Sequence, residues 1–251
     1  VIEAVKKRFD ATEEALVAGR ALVAAEAEMG RERWARFVSS MNPFLDDGVV
    51  GLGIARRVPR ETLTEWEEKL RDEVGARVSV ERHGTGAEAY LVAAMEPLVR
   101  NVDVVGKDIA SGTTRREAAE RAMQTGRAVL TRRIRLIEGE GQVPGCLLFL
   151  PFYGDEEVPA TEAERVATLE GWVYASLQIE RIMRGVSDEQ LDLRAFEGEE
   201  KAVERLLFAS TPKTGEQVPT FVETVPLPVH GQVWTLEIAT NDLFDRRGES
   251  G

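Results

Sequence analysis

Ala128-Val-Leu-Thr-Arg-Arg-Ile-Arg-Leu-Ile137, then Gly139-Glu-Gly-Gln142, then Gly145-Cys-Leu-Leu-Phe-Leu-Pro-Phe-Tyr153 is the stretch that decides the fold class. Two apolar segments around a glycine-bearing turn predict a β-hairpin, and a hairpin makes its sheet antiparallel. Just upstream, Ser111 or Thr113 can cap a helix running to about Gln124, and Gly126 stops it. Further back, strand patterns at Ala76 to Glu81 and Ala89 to Met95 flank the turn His83-Gly84-Thr85-Gly86, and Val102 to Val105 reads as another short strand. Pro59 is placed to open a short helix through about Glu73, with Leu63, Trp66 and Leu70 on one face. The turn Asp46-Asp47-Gly48 leads into a strand over Val49 to Ile54.

From Val1 to Met41 there is no proline and there are only two glycines, and Ile2, Phe9, Leu16, Val23 and Phe37 fall at spacings of seven or twice seven. One long helix is expected, roughly 60 Å at about 1.5 Å per residue, ended by Asn42-Pro43. Its second row, Thr12, Gly19, Glu26 and Arg33, is not consistently apolar, so a two-stranded coiled coil is not established. Packing on its own domain and dimerisation through Ile2, Phe9 and Leu16 both stay open.

Downstream, the acidic segment 154–164 reads as a linker. A second, smaller unit follows, with strands near Gly171 to Leu177, Leu191 to Phe196, Ala202 to Phe208, Phe221 to Pro226 and Val233 to Ile238, and a helix near Gln178 to Val186. The class is α+β: a stalk helix over 1–41, one module over 42–153, and another over 165–251.

Composition removes several functions. The chain has 251 residues and a net charge of −12, with a pI near 4.9, where nucleic-acid binding needs a basic footprint. Its longest compact apolar run, Cys146 to Phe152, falls short of the roughly 20 residues a spanning helix needs. It opens at Val1 without an initiator Met, which is expected of a piece of a longer protein. One cysteine excludes an internal disulfide, and two histidines, His83 and His230, exclude a His-rich metal site. Gly51-Leu-Gly53 and Gly84-Thr-Gly86 do not continue into a nucleotide-binding pattern, and no G-x-S-x-G elbow occurs. Asp46-Asp47 and Glu156-Glu157 read as turn residues, the two histidines as loop residues, and Cys146, Trp66, Trp172 and Trp234 as core. No catalytic residue, metal ligand or cofactor emerges.

A longer ordered pattern remains. Gly51-Leu-Gly-Ile-Ala-Arg-Arg-Val-Pro59, Glu96-Pro97-Leu98, Gly106-Lys-Asp108, Arg115-Arg-Glu-Ala-Ala-Glu-Arg-Ala122, Thr125-Gly126, Ala128-Val-Leu-Thr131, Arg133-Ile-Arg-Leu136, Leu148-Phe-Leu-Pro-Phe-Tyr153 and Gly171-Trp-Val-Tyr174 occur in that sequence. The set resembles the CHASE domain, the extracytoplasmic sensor module of bacterial sensor kinases and nucleotide cyclases and of plant cytokinin receptors. The resemblance implies a stalk helix carrying a membrane-distal and a membrane-proximal PAS-like module. It implies a homodimer through the N-terminal helix, flanking membrane helices outside this chain, and a periplasmic site on an inner-membrane histidine kinase or diguanylate cyclase. Glu96 and Thr131 stand where plant members hold a purine ring, so the resemblance implies a small-molecule ligand with an N–H donor, neutral or cationic, such as a planar nitrogen heterocycle. On strand alternation Tyr90, Val92 and Ala94 share a face with Glu96, and Val129 with Thr131; Met123 and Phe149 complete the expected wall. A dimerisation or spacer module with a filled pocket is the alternative, and an enzyme is the third reading.

Overall fold

Apolar residues spaced three and four apart bury one stripe of a helix, and the first helix obeys this rule over less of the chain than its periodicity promises. In the computed structural model, which describes residues 1–26, 29–45, 48–84, 86–138, 141–154, 157–210 and 219–241, α1 runs Ile2–Ala24 and α2 runs Arg31–Met41. The single helix expected to Met41 is two. Gly30 is extended at the head of α2 (φ −73°, ψ 145°), and the chain turns so that Trp34 returns to Gly19, where a Cβ would stand 3.0 Å from the indole Cη2. Trp34 is wholly buried and donates its Nε1 to Leu52 O at 3.1 Å. Thr12 and Gly19, the apparent gaps in the second row, are buried in their own right. Phe9 and Leu16 are buried as well, with Phe9 edge-on to Trp234 at 5.4 Å. They belong to the intrachain core rather than to an exposed dimer seam.

The chain continues through β1 (Val49–Pro59), α3 (Leu63–Val74), β2 (Glu88–Glu96), a one-turn α4 (Leu98–Asn101), α5 (Thr113–Thr125), β3 (Val129–Leu130), β4 (Ile134–Glu138), β5 (Gly141–Tyr153), α6 (Glu162–Thr168) and β6 (Leu169–Gln178). The predicted hairpin is β4 with β5, its turn residues Gly139 and Glu140 lying outside the described residues. Gly112 caps α5 in place of Ser111 or Thr113, and Gly126 ends it in the left-handed region at φ 69°. The first sheet has the order β2-β1-β6-β5-β3, with β4 also on β5.

That order corrects the module boundary. β6 lies between β1 and β5, so Gly171 to Leu177 belongs to the first module, and 154–164 is not the divide. The sequence carried the reason: Trp172 to Leu177 is apolar at nearly every position, which suits a central strand covered on both faces. Two expected strands are absent. Residues 76–81 are irregular, though Val78 and Val80 are buried, and Val102–Val104 is a 3-10 turn. The free edge of β2 is covered instead by Gly106 and Lys107, both bonded to Val92.

After α7 (Ile179–Met183) come β7 (Leu191–Glu197), β8 (Leu206–Ala209), β9 (Val222–Val229) and β10 (Gln232–Thr240), in the order β8-β7-β10-β9. α1 lies against both sheets: one core joins Phe9, Leu16 and Trp34 to Leu148 and Val173 and to Leu193, Leu227 and Trp234. A second core packs α5 on the other face of the first sheet and takes in residues of α3 as well. The β9–β10 turn reaches β3, where Leu130 N donates to His230 O at 2.8 Å and Gln232 Nε2 donates to Leu130 O at 3.1 Å. Among the described residues no helix is long and apolar enough to cross a membrane.

Candidate ligand site

β1 turns Leu52 and Ile54 toward α1 and Gly51 and Gly53 toward α5, since Leu52 and Ile54 pair across with Ala175 and Val173 and Gly53 pairs with Tyr174. A Cβ on Gly53 would lie 2.6 Å from Tyr174 Cε1 and Cζ, and one on Gly51 would lie 2.6 Å from Met95 Cε and 3.1 Å from Asn101 Nδ2. The Gly51-Leu-Gly53 pattern therefore makes a flat floor under Tyr174, Met95 and Asn101. Phe149 stands on the other side of Tyr174, ring centroids 5.6 Å apart, and Tyr90 lies 4.5 Å from Trp172.

Most polar atoms here are tied to backbone. Trp172 Nε1 donates to Ala119 O and Tyr153 Oη to Met123 O, both at 2.9 Å. The Asp108 carboxylate is fully buried: Oδ1 accepts from Tyr90 N and Ala110 N, and Oδ2 accepts from Arg60 Nη2 at 2.6 Å. It rivets the covering segment to β2. Tyr174 is the exception. Its hydroxyl has no hydrogen-bond partner among the described residues, and burial pushes its pKa well up, with Arg115 pulling it back.

Thr131 is buried; its Oγ1 accepts from Leu147 N at 3.0 Å, and its amide donates to Leu147 O. The hydroxyl proton has no acceptor among the described residues. Tyr90, Val92, Met123, Val129 and Phe149 lie together on this face, as the alternation predicts. Ala94 and Glu96 do not. Ile54 pairs with Ala94 but Ala55 with Val92, so Ala93 is an extra residue, and this β-bulge turns the end of β2 over. Glu96 consequently faces α2, with Oε2 accepting from Leu98 N at 2.8 Å and Oε1 standing 3.3 Å from Arg31 Nε. Glu96 and Thr131 are on opposite faces and on opposite edge strands, four strand spacings or roughly 19 Å apart.

Sequence reasoning passed over Tyr174, Asn101 and Asp108. Tyr174 and Asp108 sit inside motifs quoted for the resemblance, and the paired glycines of β1 were the available signal for a floor. Among the described residues no group of three or more His, Cys, Asp or Glu side chains could hold a metal ion.

A family model described as CHASE domain matches residues 27–208. The chain belongs to the CHASE domain family. It is thus a sensor domain of a signalling receptor, and an extracytoplasmic one. No curated protein matches it. Among solved structures, the CHASE domain is similar to Methyl-accepting Chemotaxis protein X, with a TM-score of 0.50 at 11% identity over 95% of this chain and 91% of that one. The ligand-binding domain of the Pseudomonas aeruginosa PAO1 amino acid chemoreceptor PctC, solved in complex with GABA, gives 0.48 at 15% identity over 95% and 96%. The periplasmic sensory domain of the Campylobacter jejuni chemoreceptor Tlp1 gives 0.48 at 8% identity over 96% and 90%. At these identities the likeness is one of fold.

Proposed function

We propose that this CHASE domain takes a small molecule against the α5-facing side of its first sheet. Occupancy there biases a receptor dimer whose membrane helices and output domain, a histidine kinase or a diguanylate cyclase, lie beyond this chain. The domain stands in the periplasm on an inner-membrane protein, with the first sheet as the membrane-distal module. The observation that supports the site is the Tyr174 side chain, buried over a glycine floor with a hydroxyl that makes no hydrogen bond among the described residues and is left to a ligand.

A planar nitrogen heterocycle suits this site. The Phe149–Tyr174 pair offers aromatic surface to a ring, and Tyr174 and Thr131 each offer an O–H to a ring nitrogen. Glu96 places no demand for a cation on it, because Arg31 and Leu98 N–H already face that carboxylate. The dimer seam falls on the open side of α1, where Val17 is 42% exposed and Ala18 and Ala21 are exposed beside it. A ligand must favour one dimer arrangement over the other, since equal affinity shifts nothing.

The test is a thermal-shift screen of nitrogen heterocycles and other metabolites, followed by calorimetry on the best ligand with the parent and with Tyr174→Phe and Thr131→Val. Each lost hydrogen bond is worth about 1–3 kcal/mol, or roughly 5- to 150-fold in affinity. A ligand that binds both variants as tightly as the parent refutes the site. A screen without ligands favours the spacer reading.

A further inference from the structure

On the face of the first sheet opposite the glycine floor there is a second cavity, about 350 Å³ in volume, within the range of small-molecule sites. Ile54 and Ala94 line its base, α3 supplies Trp66, and the α1–α2 turn supplies Met29. Four cations, Arg31, Arg56, Arg57 and Lys69, meet two carboxylates, Glu73 and Glu170, around it. Arg57 is also held by Glu88 at 2.8 Å and Arg31 faces Glu96, which leaves Arg56 and Lys69 as the cations whose nearest carboxylates are themselves on the cavity wall or its rim.

The cations are not evenly satisfied. Arg31 Nε and Glu96 Oε1 are buried 3.3 Å apart, yet neither makes a hydrogen bond. The Arg56 side chain is only 15% exposed, while Glu170, its ionic partner at 3.2 Å, is half exposed to water. Burial lowers the Arg56 pKa, with Glu170 opposing it. On the α3 wall Lys69 Nζ stands 5.2 Å from the Trp66 ring centre, so a cation and an aromatic plate occupy the same side. The extra residue of the β2 bulge, Ala93, also lines the cavity, and bulges re-aim strands where ligands approach.

We infer that this cavity is a second ligand site, and that it takes an aromatic carboxylate: the ring against Trp66, the carboxylate toward Arg31 and Arg56. Guanidinium forks match a planar carboxylate in two parallel bonds, and an aromatic ring uses the plate that a bare anion would leave idle. Because Met29 precedes α2 and Arg31 opens it, an occupant braces the start of α2 against the sheet. The site shares no residue with the α5-facing one and does not depend on it.

Calorimetry on the purified domain with 2-naphthoate, 2-naphthamide and inorganic phosphate tests the inference, using the parent, Trp66→Ala and Lys69→Gln. The expected result is a 2-naphthoate Kd below about 1 mM, at least about tenfold weaker binding of the amide, and at least about fivefold weaker binding of the acid by each variant. Lys69 is exposed, so its variant folds whether or not Trp66→Ala does. Three results overturn the inference: no binding of 2-naphthoate below about 1 mM, an amide as tight as the acid, or an unchanged affinity in Lys69→Gln. Phosphate binding more tightly than 2-naphthoate overturns the aromatic half of it.

Discussion

Gly53→Ala tests the floor of the proposed ligand site, because two opposing effects meet there. Gly53 has no positive φ, so alanine fits its backbone and stabilises by about 0.4–1 kcal/mol through the unfolded chain. Against this, the new Cβ would lie 2.6 Å from two atoms of the Tyr174 ring and 2.8 Å from Met95 Sδ. The thioether can swing away, but the ring cannot retreat freely, since Phe149 stands 5.6 Å behind it. Overpacking of this kind costs about 1–3 kcal/mol, so a net loss of about 1–2 kcal/mol is expected. Urea unfolding measures it as a lower midpoint at unchanged slope, and the screened ligand should lose affinity in the same variant. A midpoint that rises would refute the packing argument, for it would show that backbone propensity alone was felt.

Three further outcomes follow from the packing. Trp34→Ala should cost about 3–5 kcal/mol in urea unfolding; a loss under about 1 kcal/mol would mean that α2 does not fold back on Gly19. His230 lies beside Phe9, with Glu13 at 3.7 Å; burial lowers its pKa most, and Glu13 and Asp10 pull it up. A depressed folded value favours neutral imidazole in the native state, so this stability is present above the unfolded pKa of about 6.5 and lost as pH falls through the folded one. The thermal midpoint should therefore drop on acidification below about pH 6.5, with a flatter profile in His230→Asn, whose residue tolerates the local φ of 41°; equal slopes would contradict this. Cys146 is buried and its pKa is pushed far up by burial, so a disulfide reagent should modify it only as fast as the domain unfolds, and prompt native-state labelling would show the strand open.

Elements with local signals were legible: the β4–β5 hairpin from its turn, α5 from Gly126, and the ordered motif set that points to the family. What escaped was non-local. Nothing between Val1 and Met41 announces a break except Gly30, because the force that folds α2 back is the burial of Trp34 between Gly19 and Leu52 O, and neither partner is near it in the chain. The acidic 154–164 stretch has linker composition, yet β6 beyond it is drawn between β1 and β5, where its two-sided apolarity is covered. Alternation put Tyr90 and Val92 on the α5-facing side with Val129 and Phe149, and failed at Ala94 and Glu96, because one bulged residue inverts everything after it. Thr131, Val129, Phe149 and Met123 came together since no bulge intervenes on their side.

β3 is two residues long, and its Leu130 gives both backbone groups to the tip of the other sheet's hairpin. The shortest strand of the site is in effect a shared hinge pin. A ligand that shifts Thr131 has two courses: it breaks the bonds to His230 and Gln232, or it carries the β9–β10 hairpin along. The hairpin is nine residues of β10 on one side, ending at Thr240, so at about 3.4 Å per residue a small displacement at the pin sweeps an arm of roughly 30 Å. Because β10 is also paired with β7 from Trp234 to Thr240 and buries Trp234 and Leu236 in the core shared with α1, the second sheet would follow such a shift as one body.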